Sequence, residues 1–232
     1  GDVYKRQFFT DSPLVRKYVS DEGNYEKIIK LYEEKDADTP LFLFNVTMQN
    51  HSSYSDWADY DNFSPDITVE GSDSKLLPAY LSLIRLSDSA IQNLVSYFEA
   101  QEEPTMIVFF GDHQPADSVV RPVWKLNGKD DANLTDEEEA LRYKVPFFIW
   151  ANFDTEAESD LEISANYLAA KTLDAAGLPK SAYDNFLSQL RTEVPVISAN
   201  HVTLSDGTFT TASNQKDLLY DYQTLQYYLL FD

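Results

Sequence analysis

Residues 105–115 read TMIVFFGDHQP, an apolar run that ends in a glycine, an aspartate and a histidine. Residues 105–110, which are apolar after Thr105, predict a strand covered on both faces, as in a parallel sheet with helices above and below it. Residues 41–54, LFLFNVTMQNHSSY, follow the same plan, since 41–47 predict a second buried strand and the polar residues after it leave the sheet. Together the two stretches favour an α/β fold.

Strand and helix patterns alternate along the rest of the chain. A third strand is predicted over residues 145–150 and a strand pair over 195–211. Apolar residues at three- and four-residue steps predict helices, of which the longest covers residues 75–101. The other helices are predicted over residues 24–35, 164–176, 181–192 and 214–230. This alternation predicts an α/β domain with a mainly parallel sheet, helices on both faces, a small C-terminal strand pair and a closing helix.

The composition is typical of one globular domain. The chain has 232 residues, 43% of them hydrophobic and 25% charged, so it can bury a core without disulfide bonds. No repeat or linker interrupts the sequence, and a single domain is expected over residues 8–232. Residues 1–7, GDVYKRQ, resemble a translated sequencing adapter and are interpreted as a non-native leader. We therefore expect the natural protein to extend further upstream.

Charge and composition exclude several classes of function. Lys and Arg number 18 against 39 Asp and Glu, and the resulting net charge of −21 repels nucleic acid and anionic lipid head groups. If the substrate is itself anionic, a bound divalent cation is the most effective local positive centre. The absence of cysteine excludes a disulfide scaffold, a thiolate zinc site and a cysteine nucleophile. The chain has no glycine-rich phosphate loop and no apolar run of roughly 18 residues that could span a membrane.

Three candidate site residues lie just after predicted strands. Asp112 and His113 follow one buried strand and His51 follows the other. In an open α/β sheet the functional site lies beyond the carboxyl ends of the strands. A carboxylate oxygen and an imidazole nitrogen together suit a divalent ion such as Zn²⁺ or Mn²⁺, although two ligands do not complete a site and the pair could simply be hydrogen-bonded. His201, in the predicted hairpin, is interpreted as structural.

Both strand-end segments resemble the hallmark motifs of a known family, the lipoteichoic acid synthase and phosphoglycerol transferase group. This group forms part of the sulfatase branch of the alkaline-phosphatase-like superfamily. Its members carry MQNHGPY after one apolar strand and GDH after a later one, and MQNH and GDH occur here in that order. Residues 143–152 and 221–232 are also similar to later family segments. The resemblance runs from about residue 24 to the end and implies an alkaline-phosphatase-like fold.

The resemblance also implies a metal-dependent reaction. Family members hold one divalent ion, commonly Mn²⁺, with Mg²⁺ and Zn²⁺ as alternatives here. The ligands are an acidic residue, a nucleophilic threonine, and the Asp and His of the GDH motif, which match Asp112 and His113. The MQNH histidine contacts the phosphoglycerol group and matches His51. The threonine attacks a phosphodiester and forms a glycerophospho-threonine intermediate, a form of covalent catalysis.

Partners and location follow from the same resemblance. The expected donor is an anionic phospholipid such as phosphatidylglycerol, and the expected acceptor is a glycerol-phosphate polymer or a glycan of the cell envelope. Family members are membrane proteins whose catalytic domain lies on the extracellular face of the bacterial cytoplasmic membrane. The transmembrane helices would have to lie outside this chain.

Two departures from the family pattern stand out. Ser52 and Ser53 replace the usual Gly-Pro after the MQNH histidine, which could change substrate preference. No threonine occupies the context of the nucleophile, because Thr10 falls near the leader and Thr47 lies inside a predicted strand. We therefore expect this chain to be the C-terminal part of a catalytic domain, inactive alone, with the nucleophile and the acidic ligand upstream.

Two alternatives remain open at the level of the sequence. One is hydrolysis of a sulfuric or phosphoric ester, which differs from transfer only in the acceptor of the second step. The other is a non-catalytic module that binds a glycan or a protein through the acidic loop 57–73 and the tyrosine-rich tail.

Overall fold

The computed structural model describes residues 6–198 and 200–231, and the chain separates into two units. The first unit comprises Gly1–Glu102 and Pro115–Leu134, and the second comprises Glu103–Gln114 and Thr135–Asp232. Residues 1–5 of the predicted leader lie outside the described residues. The expectation of a single domain over residues 8–232 stays a prediction.

The first unit is organised around a hairpin and the helices that follow it. β1 (Leu14–Val15) pairs antiparallel with β2 (Tyr18–Val19), and α1 (Asp21–Glu34) comes next. α2 (Leu76–Glu99) packs against α1 and against α3 (Asp117–Leu126). The buried core residues of this unit are Tyr54, Phe63, Leu77, Ala79, Leu83 and Val119.

The first helix begins earlier than its apolar pattern predicts. The hydroxyl of Ser20 accepts a hydrogen bond from the backbone N–H of Gly23, and this caps the helix at Asp21 rather than at residue 24. Asp21 and Glu22 lie in the first turn, where negative charge interacts favourably with the helix dipole. The capping residues therefore decide where α1 starts.

The predicted strand over residues 41–47 is wrong, because no strand forms there. The apolar side chains of this segment are largely exposed, with Phe42 at 89% and Phe44 at 72%. Within the described residues no strand pairs with the segment, and an apolar sequence alone cannot provide that partner. His51 consequently follows an irregular segment and not the end of a strand.

The second unit contains the strand that leads into the GDH motif. β3 (Met106–Phe110) pairs antiparallel with β4 (Phe147–Ala151), and Val108 lies opposite Ile149. The mainly parallel sheet predicted from the sequence is not found among the described residues, where each paired strand is antiparallel. A continuous apolar run indicates that a strand is covered, but it does not encode the direction of the neighbouring strand.

The predicted C-terminal strand pair is part of a three-stranded antiparallel sheet. Its order is β5 (Val196–Ile197), β6 (His201–Thr203) and β7 (Phe209–Thr211). The α-helices of this unit are α4 (Asp136–Ala140), α5 (Leu168–Ala175), α6 (Ala182–Glu193) and α7 (Lys216–Phe231). Its buried core residues are Tyr167, Ala170, Leu187, Leu190, Val194, Val202, Leu219 and Tyr222.

Short 3-10 helices connect several of these elements. They cover Arg6–Phe9, Trp57–Asp59, Leu141–Tyr143, Ala165–Tyr167 and Ala212–Gln215. Across the described part of the chain, none of the helices has both the length and the apolar character that crossing a bilayer requires.

Candidate active site

The exit from β3 places Asp112 and His113 beside the segment that leads into β4. The N–H of Gly111 donates a 3.0 Å hydrogen bond to the carbonyl of Pro146. A Cβ atom on Gly111 would lie only 3.1 Å from the Cβ of Val145, so a larger residue there would crowd the side chain of Val145. Glycine is therefore favoured by this close approach, and not by a left-handed backbone, since Gly111 has no positive φ.

The side chains of Asp112 and His113 face each other. The Oδ2 of Asp112 lies 3.5 Å from the Nε2 of His113, and both side chains are exposed, at 79% and 72%. The other carboxylate oxygen of Asp112 accepts a 2.8 Å hydrogen bond from the backbone N–H of His113. The Nδ1 of His113 lies 2.8 Å from the carbonyl of Gln114, which can only accept, so Nδ1 carries the proton. In the neutral ring, Nε2 is left with a free lone pair on the side of the carboxylate.

This arrangement fits part of a divalent metal site. Two ligands that each lie about 2.1 Å from one ion, in roughly tetrahedral directions, are separated by about 3.4 Å. A histidine that ligates through Nε2 commonly donates its Nδ1 proton to a carbonyl, as His113 does. Among the described residues there is no group of three or more His, Cys, Asp or Glu that could hold a metal ion. The pair therefore offers two ligand positions, and the others would be filled by water or by groups outside the described residues.

His51 lies in the first unit, whereas Asp112 and His113 belong to the second. Its side chain is exposed, and its Nδ1 lies 3.0 Å from the carbonyl of Ser52 and 3.2 Å from the hydroxyl of Tyr18. No hydrogen bond within the described residues engages Nε2 of His51. The structure thus brings the predicted metal ligands together and leaves one nitrogen of the predicted substrate-binding residue available.

Arg16, which the sequence analysis did not single out, supports the segment that carries His51. Its side chain is fully buried and lies in the two-residue turn between β1 and β2. The guanidinium donates hydrogen bonds to three backbone carbonyls of the segment and to the carboxylate of Asp56. The acceptors are Gln49 (2.8 Å), His51 (2.8 Å), Ser53 (2.5 Å) and Asp56 (3.1 Å).

Asp56 is held in its ionised form by two cations. Partial burial acts to raise the pKa of its carboxyl, but hydrogen bonds from Lys17 and Arg16 outweigh burial and lower that pKa below the ordinary value. The Nζ of Lys17 lies 3.1 Å from Oδ2, and Nη1 of Arg16 lies 3.1 Å from Oδ1. Both residues of the turn therefore bind the same carboxylate.

A second buried network holds Gln49 and Asn50 against α2. The Oγ of Ser87 donates a 2.5 Å hydrogen bond to Asp21 and accepts from the side-chain amides of Gln49 (3.1 Å) and Asn50 (2.7 Å). The Oε1 of Gln49 accepts from the backbone N–H of Asp21. Burial raises the pKa of the Asp21 carboxyl, and hydrogen bonds from Ser87 and Thr47 oppose that rise. The Gln and Asn of the MQNH motif are thus anchoring residues, and the histidine is the exposed one.

The sequence holds only a weak signal for Arg16. Residues 14–19, LVRKYV, place two apolar pairs around a two-residue turn, which is a hairpin pattern. That pattern would assign Arg16 to an exposed turn, since arginine is rarely fully buried unless it is paired. Its burial depends on carbonyls that lie more than 30 residues away in the sequence.

Comparison with known proteins gives one family and two relatives. A sequence model of the sulfatase family matches residues 2–178. A Rhizobium meliloti (strain 1021) protein, named for cyclic beta-1,2-glucan modification, is 25% identical over 233 residues, which cover 92% of this chain and 34% of that protein. The Streptococcus pyogenes phosphoglycerol transferase GacH, solved in complex with sn-glycerol-1-phosphate, matches with a TM-score of 0.63 and 20% identity.

These matches confirm the predicted fold family. The alignment with GacH covers 94% of this chain and 51% of that one, and at this identity it establishes the fold alone. The chain spans about half the length of the GacH chain and about a third of the Rhizobium meliloti protein.

Proposed function

Because the chain belongs to the sulfatase family, we propose that it forms part of the catalytic domain of a metal-dependent phosphoglycerol transferase of the lipoteichoic acid synthase type. The observation that carries the proposal is the facing pair of Asp112 and His113 beyond β3, with donor atoms 3.5 Å apart. The likeness of the fold to a phosphoglycerol transferase supports the choice of reaction.

The proposed donor is a phospholipid with a glycerol-phosphate head group, such as phosphatidylglycerol. This choice is supported by GacH, which was solved with sn-glycerol-1-phosphate. The proposed acceptor is a hydroxyl of a glycan or of a glycerol-phosphate polymer, and the relative named for glucan modification favours the glycan. We place the reaction at the extracellular face of the bacterial cytoplasmic membrane, with the anchoring helices outside these residues.

Asp112 and His113 would hold the divalent ion, for which Mn²⁺ is proposed ahead of Mg²⁺ and Zn²⁺. A bound ion of this kind neutralises phosphoryl charge and lowers the pKa of an attached hydroxyl. The hydrogen bond from Nδ1 of His113 to Gln114 fixes the ring so that Nε2 points toward the carboxylate. In a chain of net charge −21, a local positive centre of this kind is needed to attract an anionic ester.

His51 would contact the transferred phosphoglycerol group through Nε2. In its protonated form the ring can donate a hydrogen bond or a proton to a phosphoryl or leaving oxygen. The nucleophile would be a threonine from outside these residues, whose oxygen bonds to phosphorus as the diacylglycerol oxygen leaves and takes a proton. In the second step the acceptor hydroxyl bonds to phosphorus, the threonine oxygen is released, and the proton of the hydroxyl returns to it.

The test uses the protein expressed from its complete reading frame and measures diacylglycerol release from phosphatidylglycerol vesicles. We expect His51→Gln to reduce the rate at least about 100-fold, the lower range for a group that assists proton transfer. We expect His113→Gln to reduce the rate as well, because it removes a proposed ligand of the metal ion. The matched control is His201→Gln, because His201 lies in β6 and stacks on Phe209 at 4.7 Å, away from both motifs in the sequence. Full activity in the His113 variant would contradict the proposal.

Ester hydrolysis is the second candidate function, and the match to the sulfatase family favours it. It differs from transfer in the second step, where water takes the place of the acceptor hydroxyl. Supplying the complete protein with a glycan acceptor separates the two. Glycerol phosphate linked to the glycan supports transfer, and free glycerol phosphate alone supports hydrolysis.

A further inference from the structure

We propose that Arg16 and Tyr18 are positioning residues that fix the imidazole of His51 as its Nδ1–H tautomer, so that Nε2 is the atom offered to the substrate. The inference extends the proposed function, because it specifies how the residue assigned to phosphoglycerol binding is oriented. It rests on contacts within the first unit alone.

Arg16 fixes the backbone around His51. Residues 49–55 form no helix or strand, so their carbonyls have no partner in regular secondary structure. Three of these carbonyls accept hydrogen bonds from the one guanidinium, those of Gln49, His51 and Ser53. A guanidinium presents several donors in a rigid plane, a geometry that the single ammonium of lysine cannot reproduce.

The turn that carries Arg16 is itself held in place. Arg16 has a φ of +55°, a left-handed conformation that is uncommon for residues other than glycine. The side chain of Asn62 accepts from the N–H of Arg16 and donates to the carbonyls of Leu14 and Arg16, each at 3.0 Å. An unfavourable backbone conformation persists where its surroundings fix it, as these three hydrogen bonds do.

Tyr18 and the Ser52 carbonyl together favour a proton on Nδ1 of His51. The Tyr18 hydroxyl donates to the carbonyl of Ser52 at 3.0 Å, which leaves its oxygen, 3.2 Å from Nδ1, to accept from that nitrogen. The second neighbour of Nδ1 is the same Ser52 carbonyl, at 3.0 Å, which also can only accept. Because a carbonyl has no proton to donate, the proton of this contact lies on Nδ1, where the Tyr18 oxygen can accept from it as well. The neutral ring then presents an unprotonated Nε2, and the charged ring presents an N–H at that position.

The first experiment reads the tautomer directly on the 232-residue chain labelled with ¹⁵N-histidine. Long-range ¹H–¹⁵N spectra at neutral pH distinguish a protonated ring nitrogen from an unprotonated one, and His51→Gln assigns the His51 signals by their loss. We expect His51 to be mainly Nδ1–H in the wild type. In Tyr18→Phe we expect part of that population to shift to Nε2–H, with the signals of His113 and His201 unchanged. A wild-type ring that is mainly Nε2–H, or identical spectra in the two proteins, would overturn the proposal.

The second experiment tests Arg16 with a matched pair of variants. Arg16→Lys keeps the charge but loses the planar donors, whereas Lys17→Gln removes the other cation bound to Asp56. We expect Arg16→Lys to shift the His51 ring signals and the backbone amides of residues 49–53, and Lys17→Gln to leave the ring signals in place. An unchanged His51 tautomer in a folded Arg16→Lys chain would remove Arg16 from the proposal. Tyr18→Phe remains decisive if that variant does not fold.

Activity of the complete protein separates this inference from the proposed function. With phosphatidylglycerol as the probe, Tyr18→Phe is expected to lower kcat/KM roughly 10-fold, a typical loss for an outer hydrogen-bond partner. If the wild type is inactive but the tautomer responds to Tyr18→Phe, the proposed function fails and the positioning role stands. If the wild type is active and Tyr18→Phe alters neither tautomer nor rate, the positioning role fails and the proposed function stands.

Discussion

At the scale of single residues, Arg16 is a buried cation that binds the irregular segment carrying His51. It is 1% exposed, and its guanidinium is the hydrogen-bond donor to four oxygens of residues 49–56. We predict that Arg16→Met lowers the free energy of unfolding by about 3–5 kcal/mol, because it leaves the half-buried carboxylate of Asp56 and three carbonyls without that donor. Urea titration with linear extrapolation measures the change.

The neighbouring Lys17 provides the control for this prediction. It binds the same carboxylate, but its side chain is 45% exposed. Exposed ion pairs contribute little, so Lys17→Met should cost less than about 1 kcal/mol. Equal losses in the two variants would mean that the bonds from Arg16 to the carbonyls contribute nothing.

The candidate metal ligands could be predicted from the sequence because the pair is local. Asp112 and His113 are adjacent and follow an apolar strand after one glycine, so the eight residues 106–113 contain the information. The hydrogen bonds that hold the segment around His51 could not be predicted, because Arg16 donates them to residues 33 to 40 positions away in the sequence. Whether His51 contacts phosphoglycerol stays a prediction.

At the scale of elements, the N-terminus of α1 is docked on α2 through a buried carboxyl. Burial raises the pKa of Asp21, so the folded state binds a proton that the unfolded state releases near pH 4. The stabilisation that the protonated Asp21 carboxyl contributes is fully present below the pKa that this carboxyl has in the unfolded chain. It is lost as pH rises through the higher pKa that the carboxyl has in the folded chain. We predict that the wild type loses stability relative to Asp21→Asn as pH rises from about 4 to 8.

Unfolding midpoints in urea at the two pH values, for both proteins, test this prediction. The comparison isolates Asp21, because all other carboxyls are shared. A stability difference between the proteins that does not change with pH, or that changes in the opposite direction, would contradict it.

Most of the longer helices were predicted, although α3 lies in a polar stretch for which no helix was predicted. The sheet was not predicted, and the reason is physical. A helix satisfies its own backbone, so periodicity and caps within one segment locate it, as for α2 and α6. A strand needs a partner, and residues 41–47 have none among the described strands although their composition is that of a buried strand. β3 formed as predicted. The antiparallel direction of β4 depends on how the chain runs between the two strands, and the apolar pattern of each strand does not encode that route.

At the scale of the whole molecule, the net charge of −21 makes a bound cation central to the proposed chemistry. We predict that chelation of the complete protein by EDTA abolishes diacylglycerol release and that added Mn²⁺ restores it. Far-UV circular dichroism should stay unchanged on chelation, because Asp112 and His113 are exposed and outside the buried cores. Full activity after exhaustive chelation would contradict the prediction.

The isolated 232-residue chain tests whether the proposed site needs residues from outside this chain. The described residues offer no group of three or more metal-ligating side chains, and two ligand donors bind a divalent ion weakly. The nucleophile is proposed to lie outside these residues. We predict that this chain binds Mn²⁺ weakly and releases no diacylglycerol. Turnover that survives repurification would contradict the proposed position of the threonine.

The most direct measurement of the central claim is the manganese content of the complete protein, determined by elemental analysis after gel filtration. The account predicts about one ion per wild-type chain, loss of that ion in Asp112→Asn and in His113→Gln, and its retention in His51→Gln. Both of the first two variants retaining a full equivalent of manganese would contradict the account.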